Sequence, residues 1–349
     1  MTAPRVPMAL TCRVSPAATE LSLRWQSAPA RPLGHDQVRV AVQVASVNPI
    51  DVKRAAGYGQ RVLSLMGAGG AELVLGNDFA GVVTEVGSGV KHLAPGVRVW
   101  GLVPTGAQGS HRSEVCVSTR WVRPLPDGVP MASAAVLPYT FTTLWRALAA
   151  VGLDAQTAGA CRVLINGAGG ALGQLAIQVL SRWGASVTAV CGPRSLERSV
   201  ALGAAQVVDR HATALSAVPS AFDATLNFGL WADDAEVMAR LHASARGHAT
   251  TVHPLLAEID AHGWMAGGLS CWRAWQGGRR RLQGIAPPAR QAWTVFRPDE
   301  GAMDALQASL LSRPLVLDVA HRAPFGQADS AFVHVGQGRS TRAVLVAHL

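Results

Sequence analysis

The chain has 349 residues, enough for two domains that each bury a core. Hydrophobic residues make up 49% and glycine supplies 36 positions, which fits an α/β enzyme and excludes a disordered or low-complexity chain. The net charge of +9 does not mark a nucleic-acid binder: lysine occurs only at Lys53 and Lys91, and the arginines are scattered.

Met1 to Ser15 has no apolar core of signal-peptide length. The longest uncharged stretch, Val163 to Ser181, contains a glycine loop and two glutamines, so no membrane span is expected and a soluble cytoplasmic protein is. Residues 1–133 read as short strands punctuated by Gly and Pro. Val38–Val44 alternates at the strand period, and Gly81–Gly87, Gly96–Gly101, Val115–Val117 and Trp121–Val122 follow. Residues 134–298 alternate strand and helix, which predicts a parallel, doubly wound sheet. After Pro298 a helix is expected over Gly301–Leu311, then strands ending at Arg342–Val346. These last strands resemble the first domain. A sheet-rich domain (1–133 and 299–349) is therefore expected to be split by an inserted nucleotide domain (134–298).

Within the insert, the apolar run Val163–Asn166 breaks into Gly167-Ala168-Gly169-Gly170-Ala171-Leu172-Gly173 and continues as an amphipathic segment to Leu180. A second strand follows at Ser186–Cys191. Strand, glycine turn and helix make a phosphate cradle: small residues let the backbone approach, and the helix start offers free N–H groups. Gly167, Ala168, Gly170, Ala171, Leu172 and Gly173 are its candidate contacts. An NAD-selective site places an acid about 20 residues past the glycines. Here stand Cys191, Gly192, Pro193, Arg194 and Ser195, and Arg210 follows the next short strand. Arg194, Ser195 and Arg210 point to a 2′-phosphate and hence to NADPH, with a solvated surface charge as the alternative for each arginine. Cys191 falls beside the cofactor by position.

The five cysteines share no CxxC spacing and suggest neither a disulfide framework nor a zinc site. Trp272 to Arg281 carries two tryptophans and four arginines. It reads as a solvated helix end with both tryptophans inward, or as a docking patch for an acidic or phosphorylated partner.

Together these motifs resemble the medium-chain dehydrogenase/reductases. The carrying residues are Ser46 to Lys53 (Ser-Val-Asn-Pro-Ile-Asp-Val-Lys), Leu75 to Val83, Leu137-Pro138 with Thr143, the glycine loop, and Phe296-Arg297-Pro298. The resemblance covers nearly the whole chain. It implies an α/β protein: a GroES-like β-rich domain plus a Rossmann domain, with the active site in the cleft between them. Zinc members carry Cys where Asn48 stands and His-Glu where Asn77-Asp78 stands, so the chain is most similar to the zinc-free NADPH:quinone reductases. The trans-acting enoyl reductases of polyketide synthesis are a close second. The chain departs from the usual pattern at Gly169 and Ala171, at Arg210 where a Tyr is common, and at Thr341-Arg342 where relatives have Gly-Lys.

The resemblance implies hydride transfer from NADPH to a quinone or an enone. Asn48 would donate to a substrate carbonyl, or would simply form the turn before Pro49. Lys53, Tyr58 and Tyr139 are candidate proton donors, against a salt bridge to Asp51 for Lys53 and plain packing for the tyrosines. Thr143 matches a family threonine at the nicotinamide end. Asn227, His253, Leu255 and Phe296 lie at predicted strand ends facing it, and Arg339 is a further cofactor candidate. An acyl carrier protein as partner, a homodimer through edge strands, and an NADPH-binding protein with little turnover all remain open.

Overall fold

The computed structural model describes residues 6–14, 21–106 and 109–347, so part of the Met1–Ser15 segment lies outside the described residues. The chain forms two compact units, Met1–Tyr139 with Arg297–Leu349, and Thr140–Phe296.

The first unit opens with β1 (Met8–Arg13), paired antiparallel to β2 (Ser22–Ser27). In β3 (Gln37–Val47) the valines at 38, 40, 42 and 44 are all buried, as a strand with one face on a core requires. It runs into α1 (Pro49–Ala55), which Pro49 opens at a position whose N–H has no helical partner in any case. α2 (Gln60–Leu65) and β4 (Glu72–Val74), which pairs with β1, follow. Next come β5 (Asp78–Val86), β6 (Arg98–Leu102), β7 (Glu114–Ser118), β8 (Val122–Pro124) and α3 (Met131–Ala134), and α4 (Pro138–Ala150) starts at the end of this unit and belongs mostly to the second. β5 starts three residues before the expected Gly81, because Asp78, Phe79 and Ala80 already pair with β6.

The second unit is a six-stranded, wholly parallel sheet. Its elements are β9 (Arg162–Asn166), α5 (Ala171–Arg182), β10 (Ser186–Cys191), α6 (Leu196–Ala201), β11 (Gln206–Asp209), β12 (Ala224–Asn227), α7 (Asp234–Met238), β13 (Gly247–Thr250), α8 (Leu255–Ile285) and β14 (Arg290–Trp293). The strand order is β11-β10-β9-β12-β13-β14. The chain winds outward from β9 to β11 and returns to the other side of β9. The crevice where the order reverses is where such sheets take ligands. β14 escaped the sequence reading: Arg-Gln-Ala-Trp carries little strand signal, and pairing with β13 decides its state.

The chain then re-enters the first unit through α9 (Glu300–Ser312), capped by Asp299, which accepts from Ala302 N at 2.9 Å. β15 (Val319–Pro324), α10 (Asp329–Gly336) and β16 (Arg342–Val346) complete it. β16 inserts between β15 and β3, giving the order β15-β16-β3-β5-β6-β8, with β7 also on β3. Val40, Phe79, Val83, Phe332 and Leu345 share the core this sheet encloses. No described helix is long and apolar enough to cross a membrane.

Candidate functional site

In the second unit the glycine turn closes tightly on the sheet. Gly167 N and Ala168 N donate to Val190 O at 3.1 and 3.0 Å, which ties the turn to β10. Gly167 has φ +80, and a Cβ there would lie 2.6 Å from Gly229 N. At Gly173 a Cβ would lie 2.4 Å from Ala168 Cα, so only glycine lets α5 start this close to β9. Gly170 precedes the helix and caps it with no side chain, and Ala171, Leu172 and Gly173 form its first turn, whose amides have no partner within the helix. This cradle fits a dinucleotide pyrophosphate.

The loop after β10 touches the turn: a Cβ on Gly169 would lie 2.6 Å from Ser195 Oγ. Arg194 is exposed there. Arg210, also exposed, is fixed by its own N–H to Cys191 O at 3.0 Å. It lines a groove of about 460 Å³ with Asn166, His211, Thr213, Leu230 and Asp233. Cys191 departs from expectation. Its thiol is buried 3.6 Å from Ser199 Oγ, and burial pushes its pKa up, so only its backbone faces the loop.

At the other half of the sheet, Asn227 also departs from expectation. It is fully buried; its amide donates to Leu230 O and Asp234 Oδ1 (2.9 Å each) and its oxygen accepts from Asn166 Nδ2 and Gly229 N. Nothing is left for a cofactor, so Asn227 shapes the loop after β12. His253 is buried and stacks on Trp293, with ring centroids 5.1 Å apart and planes 7° apart; burial holds its imidazole below the usual range. Leu255 opens α8, and the half-buried Phe296 follows β14. Thr143 is buried on α4.

The first unit contains a buried polar centre that the sequence reading only grazed. Ser46, Asn48, Asp51, Asp78 and His111 are completely buried, and Arg342 is 4% exposed. Asn48 Nδ2 donates to Ser46 Oγ and Asp78 Oδ2, both at 2.9 Å, and Asn48 Oδ1 accepts from Arg342 Nη2. Ser46 Oγ donates to Asp78 Oδ2 at 2.6 Å, and Tyr139 N donates to Asp78 Oδ1 at 2.6 Å, so the carboxylate caps the start of α4. Asp51 accepts from Asn48 N at 2.8 Å and from Gly76 N at 2.9 Å. His111 Nε2 donates to Ser46 O at 2.8 Å. Gly76 makes room for that ring: a Cβ there would lie 2.4 Å from it. Burial pushes the Asp78 carboxyl up to about 6, against the pull of Ser46, Asn48, Tyr139 N and Arg342.

This geometry corrects two expectations. Asn48 has both amide hydrogens committed internally, so it holds Asp78 and Arg342 together and does not donate to a substrate carbonyl. Lys53 forms no salt bridge with Asp51, whose oxygens face backbone amides; its ammonium instead lies 5.3 Å from the Tyr58 ring centroid. Lys53 is exposed, and Tyr58 and Tyr139 are half-buried. Burial, with Asp51 and Asp78 nearby, pushes the Tyr139 phenol well above its usual range, so its hydroxyl stays protonated at neutral pH. Arg339 stands apart from this centre, donating to Gln337 Oε1 at 2.8 Å on an exposed turn. Asp78 and Arg342 were legible as charges opening apolar strands, a placement that calls for a buried partner.

Residues 34–127 match the alcohol dehydrogenase GroES-like domain. The human protein "NAD(P)H oxidoreductase RTN4IP1, mitochondrial" is 33% identical over 342 residues, covering 91% of this chain and 84% of its own length. A segment of the spectinabilin polyketide synthase system protein NorB of Streptomyces orinoci is 37% identical over 201 residues, covering 56% of this chain and 8% of that protein. Among solved structures, the quinone oxidoreductase from Coxiella burnetii superposes with a TM-score of 0.79 at 20% identity, covering 99% of this chain and all of that one.

Proposed function

The chain belongs to the medium-chain dehydrogenase/reductase family and is an NAD(P)H-dependent oxidoreductase, and from that premise we propose a zinc-independent reductase that uses NADPH to reduce a quinone or an α,β-unsaturated carbonyl. The observation that carries this reading is the buried Asn48–Asp78–Arg342 assembly. Where zinc members hold metal ligands, this chain has two amides and one carboxylate, and a guanidinium supplies the positive charge. Asn48, Asn77 and Asp78 bring neither thiolate nor imidazole, and the imidazole of this centre, His111, commits Nε2 to Ser46 O. A conjugated acceptor delocalises the charge that hydride addition creates, so it needs less Lewis-acid help than an alkoxide.

When bound, the cofactor supplies the hydride. The chain's residues bind, orient and protonate. The turn Gly167–Gly173 takes the pyrophosphate, while Arg194, Ser195 and Arg210 select a 2′-phosphate. Thr143, His253, Leu255 and Phe296 bound the nicotinamide end. Tyr139, with Tyr58 and Lys53 as alternates, delivers the proton. The cytoplasmic location read from the sequence belongs to this proposal too.

The test is oxidation of NADPH and NADH by chelator-treated protein against quinones, enones and enoyl thioesters. Rapid chelator-insensitive turnover of NADPH with a quinone or enone is the expected result. A rate that collapses with chelator overturns the zinc-independent reading. The identity shared with the NorB segment favours a second reading, an enoyl-thioester reductase served by an acyl carrier protein; exclusive activity on carrier-bound thioesters would select it.

A further inference from the structure

We propose that the second half of α8 is a surface that lies on an anionic lipid bilayer. Gly263, at φ 74 and ψ −179, breaks α8 into two helices, and the second runs from Trp264 to Ile285. Its inward face is fixed by Gly267, Cys271, Gly278 and Leu282, all buried. Gly267 lies so close to the first helix that a Cβ would sit 2.4 Å from Glu258 O. The two helices therefore pack on each other, and the phase of the second is set.

The opposite face is apolar and faces water. Met265, Leu269 and Trp272 stand at i, i+4 and i+7 and are 91%, 46% and 57% exposed; Trp264 flanks them at 48%. The same face continues into Arg279 and Arg280, with Arg273 exposed beside it and Arg281 exposed on the far side of the helix. From Trp264 to Ile285 there is no Asp or Glu. One of the two readings that the sequence allows for this segment puts both tryptophans inward. In fact Trp275 stacks edge-on against Trp293, 5.5 Å between centroids, while Trp272 points out.

An exposed stripe of Trp, Met and Leu beside a run of arginines, on a helix about 33 Å long, is the pattern of a helix lying in a bilayer interface. Tryptophan suits the headgroup level, and arginine pairs with lipid phosphate. A second copy of the chain is a poorer fit: this helix would meet its own four arginines with no acid on it to neutralise them. This inference stands apart from the reductase reading, since it uses none of the proposed site residues.

The test is flotation of the full-length protein with vesicles of phosphatidylcholine alone or mixed with phosphatidylglycerol. Binding is expected only to the mixed vesicles and should fall as salt rises. Arg279→Ala with Arg280→Ala should weaken it about 25-fold. Met265→Ser and Trp272→Ser should each weaken it about tenfold. All four positions are exposed, and unchanged thermal unfolding and NADPH binding would verify that the variants fold. No binding to mixed vesicles, or binding that neither pair weakens, overturns the proposal. So does a light-scattering dimer that Trp272→Ser converts to monomer in the absence of vesicle binding, which would assign the face to a second copy.

Discussion

Arg342 donates its guanidinium to Asn48 Oδ1 inside a centre where neither side chain is more than 4% exposed. Asn48 passes the contact on to Asp78 through its amide. The cation from β16 and the carboxylate from β5 are thus bridged by one neutral side chain and compensate each other away from water. Removing the guanidinium strands the carboxylate. Arg342→Met is expected to cost about 3 kcal/mol of stability. Pairing it with Asp78→Asn should restore most of that loss, because no Asp78 carboxylate is then left without its cation. Urea unfolding of the two single variants and the double variant measures the coupling; losses that merely add would overturn it.

Asp78 also makes stability depend on pH, with a sign opposite to that of most carboxylates. Its folded pKa is raised from 3.8 to about 6, so between those values the folded state binds the extra proton. Stability then falls as pH rises through that window: the contribution is full below the unfolded value and is lost above the folded one. Relative to Asp78→Asn, the wild type should lose about 2 kcal/mol between pH 4 and pH 7. The difference between the two proteins in urea unfolding at both pH values removes every other group. A difference that does not change with pH, or that grows in the wild type's favour, contradicts the assignment.

The two halves of the site differ in how readable they were. The nucleotide cradle is local: β9, turn and α5 lie within Arg162–Arg182, and the reasons for Gly167 and Gly173 sit in the same supersecondary unit. The buried centre draws on positions 46, 48, 78, 111, 139 and 342 and exists only once β3, β5 and β16 pair. Nothing beside Asn48 in the sequence announces Arg342, 294 residues away. That is why its amide looked available for substrate. Asn227 was misread for the same reason, since its acceptor Asp234 belongs to the following helix. Trp272 and Trp275 were read alike because the phase of α8 depends on the break at Gly263.

The close approach of α5 to β9 yields a prediction about a single methyl group. Gly173→Ala places its Cβ 2.4 Å from Ala168 Cα, and backbone cannot step aside as a flexible side chain does. The helix must shift, at a cost of about 1–3 kcal/mol. The shift moves the turn proposed to take the pyrophosphate, so NADPH affinity should fall more than stability does. Fluorescence titration with NADPH beside thermal unfolding separates the two. Unchanged affinity in a destabilised variant would mean that the turn does not hold the cofactor.

In the proposed reaction Tyr139 delivers the proton. Asp78 fixes its backbone, and burial with the nearby acids keeps its hydroxyl protonated. Tyr139→Phe should lower kcat about 100-fold while leaving KM for NADPH unchanged. Equal loss in Tyr58→Phe with no effect in Tyr139→Phe would transfer the role to the ring that Lys53 covers.

In the proposed function, cofactor choice rests on the loop after β10. Arg194 is exposed beside Ser195, whose hydroxyl lies against the glycine turn, and Arg210 is anchored by its backbone to the end of the same strand. A charge-assisted contact to a 2′-phosphate contributes about 1.5–3 kcal/mol. Arg194→Ala should therefore raise KM for NADPH roughly 10- to 100-fold and leave KM for NADH where it was. Arg210→Ala should act in the same direction, and the double variant should use the two cofactors nearly equally. The asymmetry is the informative part: a general defect in the loop would weaken both cofactors, whereas loss of a phosphate contact weakens only the one that carries the phosphate. A wild-type enzyme that already prefers NADH would remove the 2′-phosphate from the account and leave both arginines as solvated charges.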